Sequence, residues 1–394
     1  MFERLRHHDS IDAPLRRNGT FAKGEFLKWY EKQEKQEAHP CRQRTKKIAG
    51  KTALLAAGVA VMAGNADIVH NKEIQAESTV TISVRGEALD IDNNDQSIVM
   101  LSGYGSLNAN YITDKLGSSI QPVIDGQLWS VDYANATLDA TVIANEIIDT
   151  AEQSGVDTVT LVGHSIGGIT ALQVADVLTE QPAVRVQAII PISTPDGYEG
   201  LQPSRQDQLN LTWLLDVFPD LIYSTPFRIG TEIVFRYDQY NSGNLTERIV
   251  NLFQTSQDVS SKVINRELPG NWLINDQFLA LQNAKLDQRL ESIGDAASNI
   301  LDPVIIYIGT DGHDETVNEK TSSENISEYS QLAGLQYLHL AVPDLTHNTP
   351  WQSAEEMNQT LMASSPVIQQ MLGQNLRNYS INNLWIVTPV HSRR

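Results

Sequence analysis

A run of β-branched and apolar residues, Thr158-Val159-Thr160-Leu161-Val162, leads directly into Gly163-His164-Ser165-Ile166-Gly167-Gly168. This junction limits the fold more than any other stretch of the chain. A strand that reverses sharply into a helix strains its corner residue and leaves that side chain standing proud. Bulk on either side of such a corner would collide, and Gly163 and Gly167 supply none. The helix is readable too, because Ile169, Ala171, Leu172, Val174, Ala175 and Val177 follow with the crowded apolar spacing of a buried helix. Its first amides would point at Ser165, where negative charge develops when a hydroxyl attacks a carbonyl.

Strand, glycine-flanked serine and helix together resemble the nucleophile elbow of the α/β-hydrolase superfamily. The resemblance implies a mostly parallel central sheet with helices on both faces and a helical cap insertion. It also implies that an acid and a histidine follow the serine, on the ends of later strands.

The rest of the sequence reads as such a sheet. Val80-Thr81-Ile82-Ser83-Val84 alternates like a half-buried strand, Ile98-Val99-Met100-Leu101 runs like a buried one, and Val131-Asp132-Tyr133 ends another. Leu138, Val142, Ile143, Ile147, Ile148 and Ala151 are spaced for an amphipathic helix. Ala188 to Ser193, Pro303 to Gly309 and Tyr337 to Val342 continue the sheet, and a helix near Ala354 to Leu372 closes it. Between about Gly197 and Ser298 the rhythm breaks. Leu209, Trp213, Phe218, Tyr223, Phe227 and Phe235 make its first half rich in apolar and aromatic residues, which in relatives of this fold would form a cap. The expected division is a basic N-terminal segment and linker over 1–78, core over 79–196, helical cap over 197–298 and core again over 299–394.

His347 is the candidate base, in the polar loop Pro343 to Pro350 after the last core strand, resembling the family's histidine loop in order and position. A serine hydroxyl needs such a base, and the imidazole needs a carboxylate to fix its tautomer. Ile308 to Val317 offers two acids. Asp314 with Val317 resembles the family's Asp-x-x-Val loop; Asp311 is nearer the strand end and stands as the alternative, with Asp196 a third position. For the oxyanion, the Ile166 amide supplies one donor. The resemblance of Leu101-Ser102-Gly103-Tyr104-Gly105-Ser106 to the family's His-Gly-x-Gly loop implies the Tyr104 amide as the second, with Ser102 standing where histidine is common. His339 lies inside a strand and reads as structural. His164 is expected to point away from the elbow.

Charge bounds the partners. Residues 1–51 hold 13 Lys+Arg against 7 Asp+Glu, and the remainder 16 against 41. An acidic body lacks the clustered cations that phosphate backbones require, so nucleic acid is excluded as a partner. The basic head is followed by Thr52 to Gly64, a short apolar run ending in small residues. That order is a signal-peptide pattern, with cleavage after Ala63 or Ala66. The run is shorter than the ~20 apolar residues of a spanning helix; an uncleaved anchor with membrane association, or a helix without targeting role in a cytoplasmic protein, are the alternatives. The single cysteine, Cys41, forms no disulfide within the chain and precedes every core strand. No metal-ligand spacing, phosphate loop or dinucleotide fingerprint occurs, so no cofactor or metal is expected. The sequence-level expectation is an exported or anchored serine hydrolase acting on a small-molecule or lipid-like carboxylic ester, carboxylesterase or lipase-like. Amide or thioester hydrolysis by the same triad, and a catalytically silent binding protein, are the alternatives.

Overall fold

The structure is a computed structural model that describes residues 65–373, apart from 134, 182, 204, 207–222, 237–239, 241–244, 298–302 and 313. The apolar run 52–64 and the aromatic-rich stretch 207–222 lie outside the described residues. The chain divides into two compact units, Met1–Asn71 with Asn210–Ser260 and Lys72–Leu209 with Ser261–Arg394. The interval 197–298 is therefore shared: residues 210–260 fall in the first unit, 197–209 and 261–298 in the second.

Among the described residues the second unit is built on seven strands: β1 (Thr81–Gly86), β2 (Gln96–Leu101), β3 (Gln127–Asp132), β4 (Thr158–His164), β5 (Arg185–Ile192), β6 (Val304–Thr310) and β7 (Tyr337–Val342). Their order in the sheet is β1-β3-β2-β4-β5-β6-β7. Only β1 is antiparallel to its neighbour; every later pair is parallel. The β2/β3 swap reverses the direction in which the sheet grows, and β4 lies beside the reversal. This is the α/β-hydrolase fold.

Parallel strands need crossovers, and the crossovers cover both faces. On one side Ile98, Met100, Val162, Ile190, Ile306 and Leu340 pack with Ile112 and Leu116 of α1 (Asn110–Ile120) and with Met357 and Leu361 of α2 (Ala354–Gly373). Removing each such side chain from water is worth about 1.5–3 kcal/mol. Alternate strand residues, Val99, Leu161, Ile189 and Ile305, are equally shut off from solvent on the opposite face. There Ile166–Thr179 packs against β4 and β5, with helices Ala140–Ser154 and Leu286–Ala297 on its flanks.

The sequence reading places no helix over 110–120, which the structure supplies as the crossover after β2. It expects alternation over 80–84, yet Val84 is exposed, because β1 is the edge strand and both its faces reach solvent in part.

In the first unit, helix Thr225–Phe235 carries a charged cluster. Glu232 accepts from Arg228 at 2.7 Å and from Arg236 at 2.9 Å, one turn to either side, and Arg236 also reaches Asp258 at 3.1 Å. Such pairs add about 0.2–0.5 kcal/mol each to the helix. Among the described residues no helix is long and apolar enough to cross a membrane.

Candidate active site

Ser165 occupies the corner between β4 and the helix that follows, with φ 56° and ψ −126°. A non-glycine residue adopts that conformation only where its surroundings enforce it. Here the Ser165 amide donates to the Ile192 carbonyl of β5 at 2.8 Å, and the Gly168 amide donates back to the Ser165 carbonyl at 2.9 Å. The flanking glycines are required by close packing. A Cβ on Gly163 would overlap the Gly167 carbonyl, one on Gly167 would overlap the carbonyls of Leu101 and Ser102, and one on Gly168 would overlap Thr194.

His347 reaches the corner from the loop after β7. Its Nε2 lies 2.8 Å from the Ser165 hydroxyl oxygen and its Nδ1 3.1 Å from Asp314 Oδ2. With a carboxylate on one side, the neutral ring carries its proton on Nδ1, donates it to Asp314, and accepts from the serine hydroxyl at Nε2. All three residues are buried, at 5%, 6% and 2% exposure for Ser165, His347 and Asp314, so no bulk water competes for these bonds.

Asp314 is the acid that the structure brings to His347. Its other oxygen accepts from the amides of Thr316 at 2.6 Å and Val317 at 2.8 Å. Burial would push its pKa up, but the hydrogen bond and charge of His347 and the two amides outweigh burial, holding the carboxyl below its ordinary value. Asp311 is exposed at the end of β6, with its amide tied to the Val342 carbonyl. Asp196 is spent elsewhere, accepting from Ser322 and Asn325.

The acid loop is held by a residue the sequence reading passed over. Gln202 donates its side-chain amide to the Asp314 carbonyl at 2.9 Å and to the Val317 carbonyl at 3.1 Å, while its backbone amide donates to Thr316 at 2.8 Å. Asn348, beside the histidine, donates to Glu315 at 2.6 Å and links the two loops directly.

Ile166 begins its helix, so its amide is among the first-turn donors that the helix itself does not use. The loop after β2 lies against the same corner: a Cβ on Gly103 would sit 3.0 Å from both the His164 carbonyl and Ser165 Cβ. The Tyr104 amide is carried by this loop. Tyr133, at the end of β3, donates its hydroxyl to the Ser102 carbonyl at 3.2 Å and anchors the loop's base.

His164 does not turn away from the site. Its ring centroid lies 5.1 Å from that of His347, tilted by 47°. Burial first, and the neighbouring His347 second, push its pKa down to about 3, so it stays neutral wherever the site could operate. The corner leaves little room around Ser165, and the preceding side chain lies beside His347. His339 packs edge-on to Tyr307, as a structural histidine would.

Behind Asp314 sits a second carboxyl, Glu319, also unread in the sequence. Its Oε2 is 2.6 Å from the Tyr307 hydroxyl, which is 3.0 Å from the Thr194 carbonyl. Its Oε1 is closed to solvent. Burial pushes its pKa up to about 7, and the nearby Asp314 adds to that. Among the described residues no three His, Cys, Asp or Glu side chains converge as metal ligands.

No family model and no curated protein matches the chain. Solved structures do. A carboxylesterase of the thaumarchaeon Nitrososphaera gargenis matches at 13% identity and TM-score 0.44, over 74% of this chain and 95% of that one. An esterase from Exiguobacterium antarcticum matches at 17% and 0.43, over 74% and 98%. A bromoperoxidase from Bacillus anthracis matches at 13% and 0.41, over 72% and 94%. At such values neither reaction nor substrate carries over, and the fold rests on the sheet order and the elbow themselves.

Proposed function

We propose that this chain, with its α/β-hydrolase fold, is a serine hydrolase that cleaves carboxylic esters through an acyl-enzyme. The observation that carries the reading is the hydrogen-bonded series from Ser165 through His347 to Asp314, mounted on a strained corner and shut off from solvent. In acylation the Ser165 oxygen attacks the ester carbonyl carbon while its proton passes to His347 Nε2. The resulting imidazolium faces Asp314, and the carbonyl oxygen, now negative, turns toward the amides of Ile166 and Tyr104. The carbon–oxygen bond to the alcohol then breaks, and the alcohol leaves with the proton from His347. Water repeats the cycle, giving its proton to His347 and releasing the acid with Ser165 restored.

The substrate is a small-molecule or lipid-like ester. Amides and thioesters react by the same sequence of bonds, and the triad serves all three. Export or membrane anchoring through residues 52–64 is proposed with it.

A fluorophosphonate probe tests the reading. The purified protein is expected to be labelled once per chain, with labelling abolished in Ser165→Ala. Folded wild-type protein that resists the probe and turns over no ester in a panel of graded acyl length would refute it in favour of a binding protein.

A further inference from the structure

The second oxyanion donor sits on a glycine-flanked loop, and a loop of that kind does not hold one amide direction unaided. The carboxamide of Gln277 meets it on both sides. Its Oε1 accepts from the Gly105 amide at 2.9 Å, and its Nε2 lies 3.4 Å from the Gly103 carbonyl. The two bonds straddle Tyr104, whose amide lies between the tied groups. The orientation of the carboxamide is dictated by its partners, since a backbone amide needs an oxygen and a backbone carbonyl needs an N–H.

Gln277 is 1% exposed, and it stands on a firmly seated element. Helix Asn271–Gln282 buries Leu273, Phe278 and Leu281, and packs on the helix that begins at Ile166. At its start, Trp272 donates to the Asn135 carbonyl, and Asn135 accepts from the Gly270 amide at 2.5 Å. At its middle, next to Gln277, Asp276 accepts from the Leu138 amide at 3.2 Å. A buried carboxamide with both ends committed to one loop is far more specific than core filling requires.

We propose that Gln277 is the positioning residue of the oxyanion loop, setting the direction of the Tyr104 amide through its grip on Gly103 and Gly105. The inference rests on the serine-hydrolase reading above. Gln277 touches no reacting atom; it acts on transition-state charge through the backbone it holds.

The test uses the full chain with a p-nitrophenyl ester and three proteins: wild type, Gln277→Leu and Gln277→Glu. Removing an oxyanion donor outright costs roughly 100- to 1000-fold in kcat; a misdirected donor in Gln277→Leu is expected to cost about 10- to 100-fold, with KM within about threefold. Gln277→Glu is near-isosteric and keeps the fold testable. Its protonated carboxyl can accept from Gly105 and donate to Gly103, whereas its ionised form repels the Gly103 carbonyl. Its kcat relative to wild type is therefore expected to fall as pH rises from 5 to 8, a trend that simple loss of packing would not produce. Gln277→Leu turning over like wild type, or a pH-independent ratio for Gln277→Glu, overturns the proposal. A wild type that neither labels at Ser165 nor turns over ester would instead defeat the underlying serine-hydrolase reading.

Discussion

Replacing Glu319 by Gln should make the protein more stable in alkaline solution while leaving its acid-side stability nearly unchanged. The geometry sets the direction. Tyr307 has one hydroxyl proton and two neighbours, the Thr194 carbonyl and Glu319 Oε2. If Glu319 is ionised, both neighbours are acceptors and one goes without. If it is protonated, Glu319 donates to Tyr307 and Tyr307 donates to Thr194, so the chain closes. Asp314 lies on one side with the Tyr307 and Tyr337 phenols nearby, and its negative charge opposes a second one at Glu319. Accordingly the folded protein holds this proton up to about pH 7, whereas the free side chain releases it near 4.5.

The sign follows from which state binds the proton. Between those two values the folded state binds more protons than the unfolded one, so stability falls as pH rises and the loss is complete above the folded value. Integrated from pH 5 to pH 8, the loss is roughly 2 to 3 kcal/mol. A glutamine amide can donate to Tyr307 at every pH and carries no charge. Urea unfolding of wild type and Glu319→Gln at pH 5, 6, 7 and 8, followed by circular dichroism, reads the effect as a difference of differences. The fixed cost of the substitution, and titrations common to both proteins, drop out. The variant should gain roughly 2 to 3 kcal/mol relative to wild type over this range. A difference that stays constant with pH within about 0.5 kcal/mol would show that Glu319 is already ionised, and the argument from the Tyr307 hydroxyl would fail.

Asp314→Asn keeps the shape of the triad acid but no longer favours the required imidazole tautomer. It should lower kcat on a p-nitrophenyl ester by roughly 1000- to 10,000-fold, while Asp311→Asn should stay within about twofold; the reverse ranking would move the triad acid to the strand end. Gly167→Ala forces a methyl group onto the carbonyls of Leu101 and Ser102, and should destabilise the fold by about 1–3 kcal/mol in thermal or urea unfolding. For export, cell fractionation with sequencing of the mature N-terminus should find the chain outside the cytoplasm beginning after Ala63 or Ala66; an intact N-terminus in the cytosol would contradict it.

Local features were legible because their causes are local. The elbow needs only a strand, three small neighbours and a helix start, all within about a dozen residues. Strand β7 can be read from its apolar run, and the closing helix from its periodicity, even with Pro366 inside it. The ordering of serine, acid and histidine along the chain also follows from fold resemblance, since the crossover topology brings successive strand ends to one edge.

The choice between partners belonged to the tertiary structure. Asp311 and Asp314 stand three residues apart in one loop, and spacing alone separates them only by resemblance; the loop's path buries Asp314 against His347 and leaves Asp311 in solvent. Gln202, Gln277 and Glu319 carry no motif, because a carboxamide or carboxyl becomes informative only when backbone from a distant segment closes around it. Gln277 meets Gly105 across 172 positions of sequence. The sequence by itself determined which residue is held in the strained corner, since steric exclusion acts between neighbours. Only the folded sheet decided what surrounds that corner, since hydrogen bonds form between groups brought into reach and burial decides which of them must be paired.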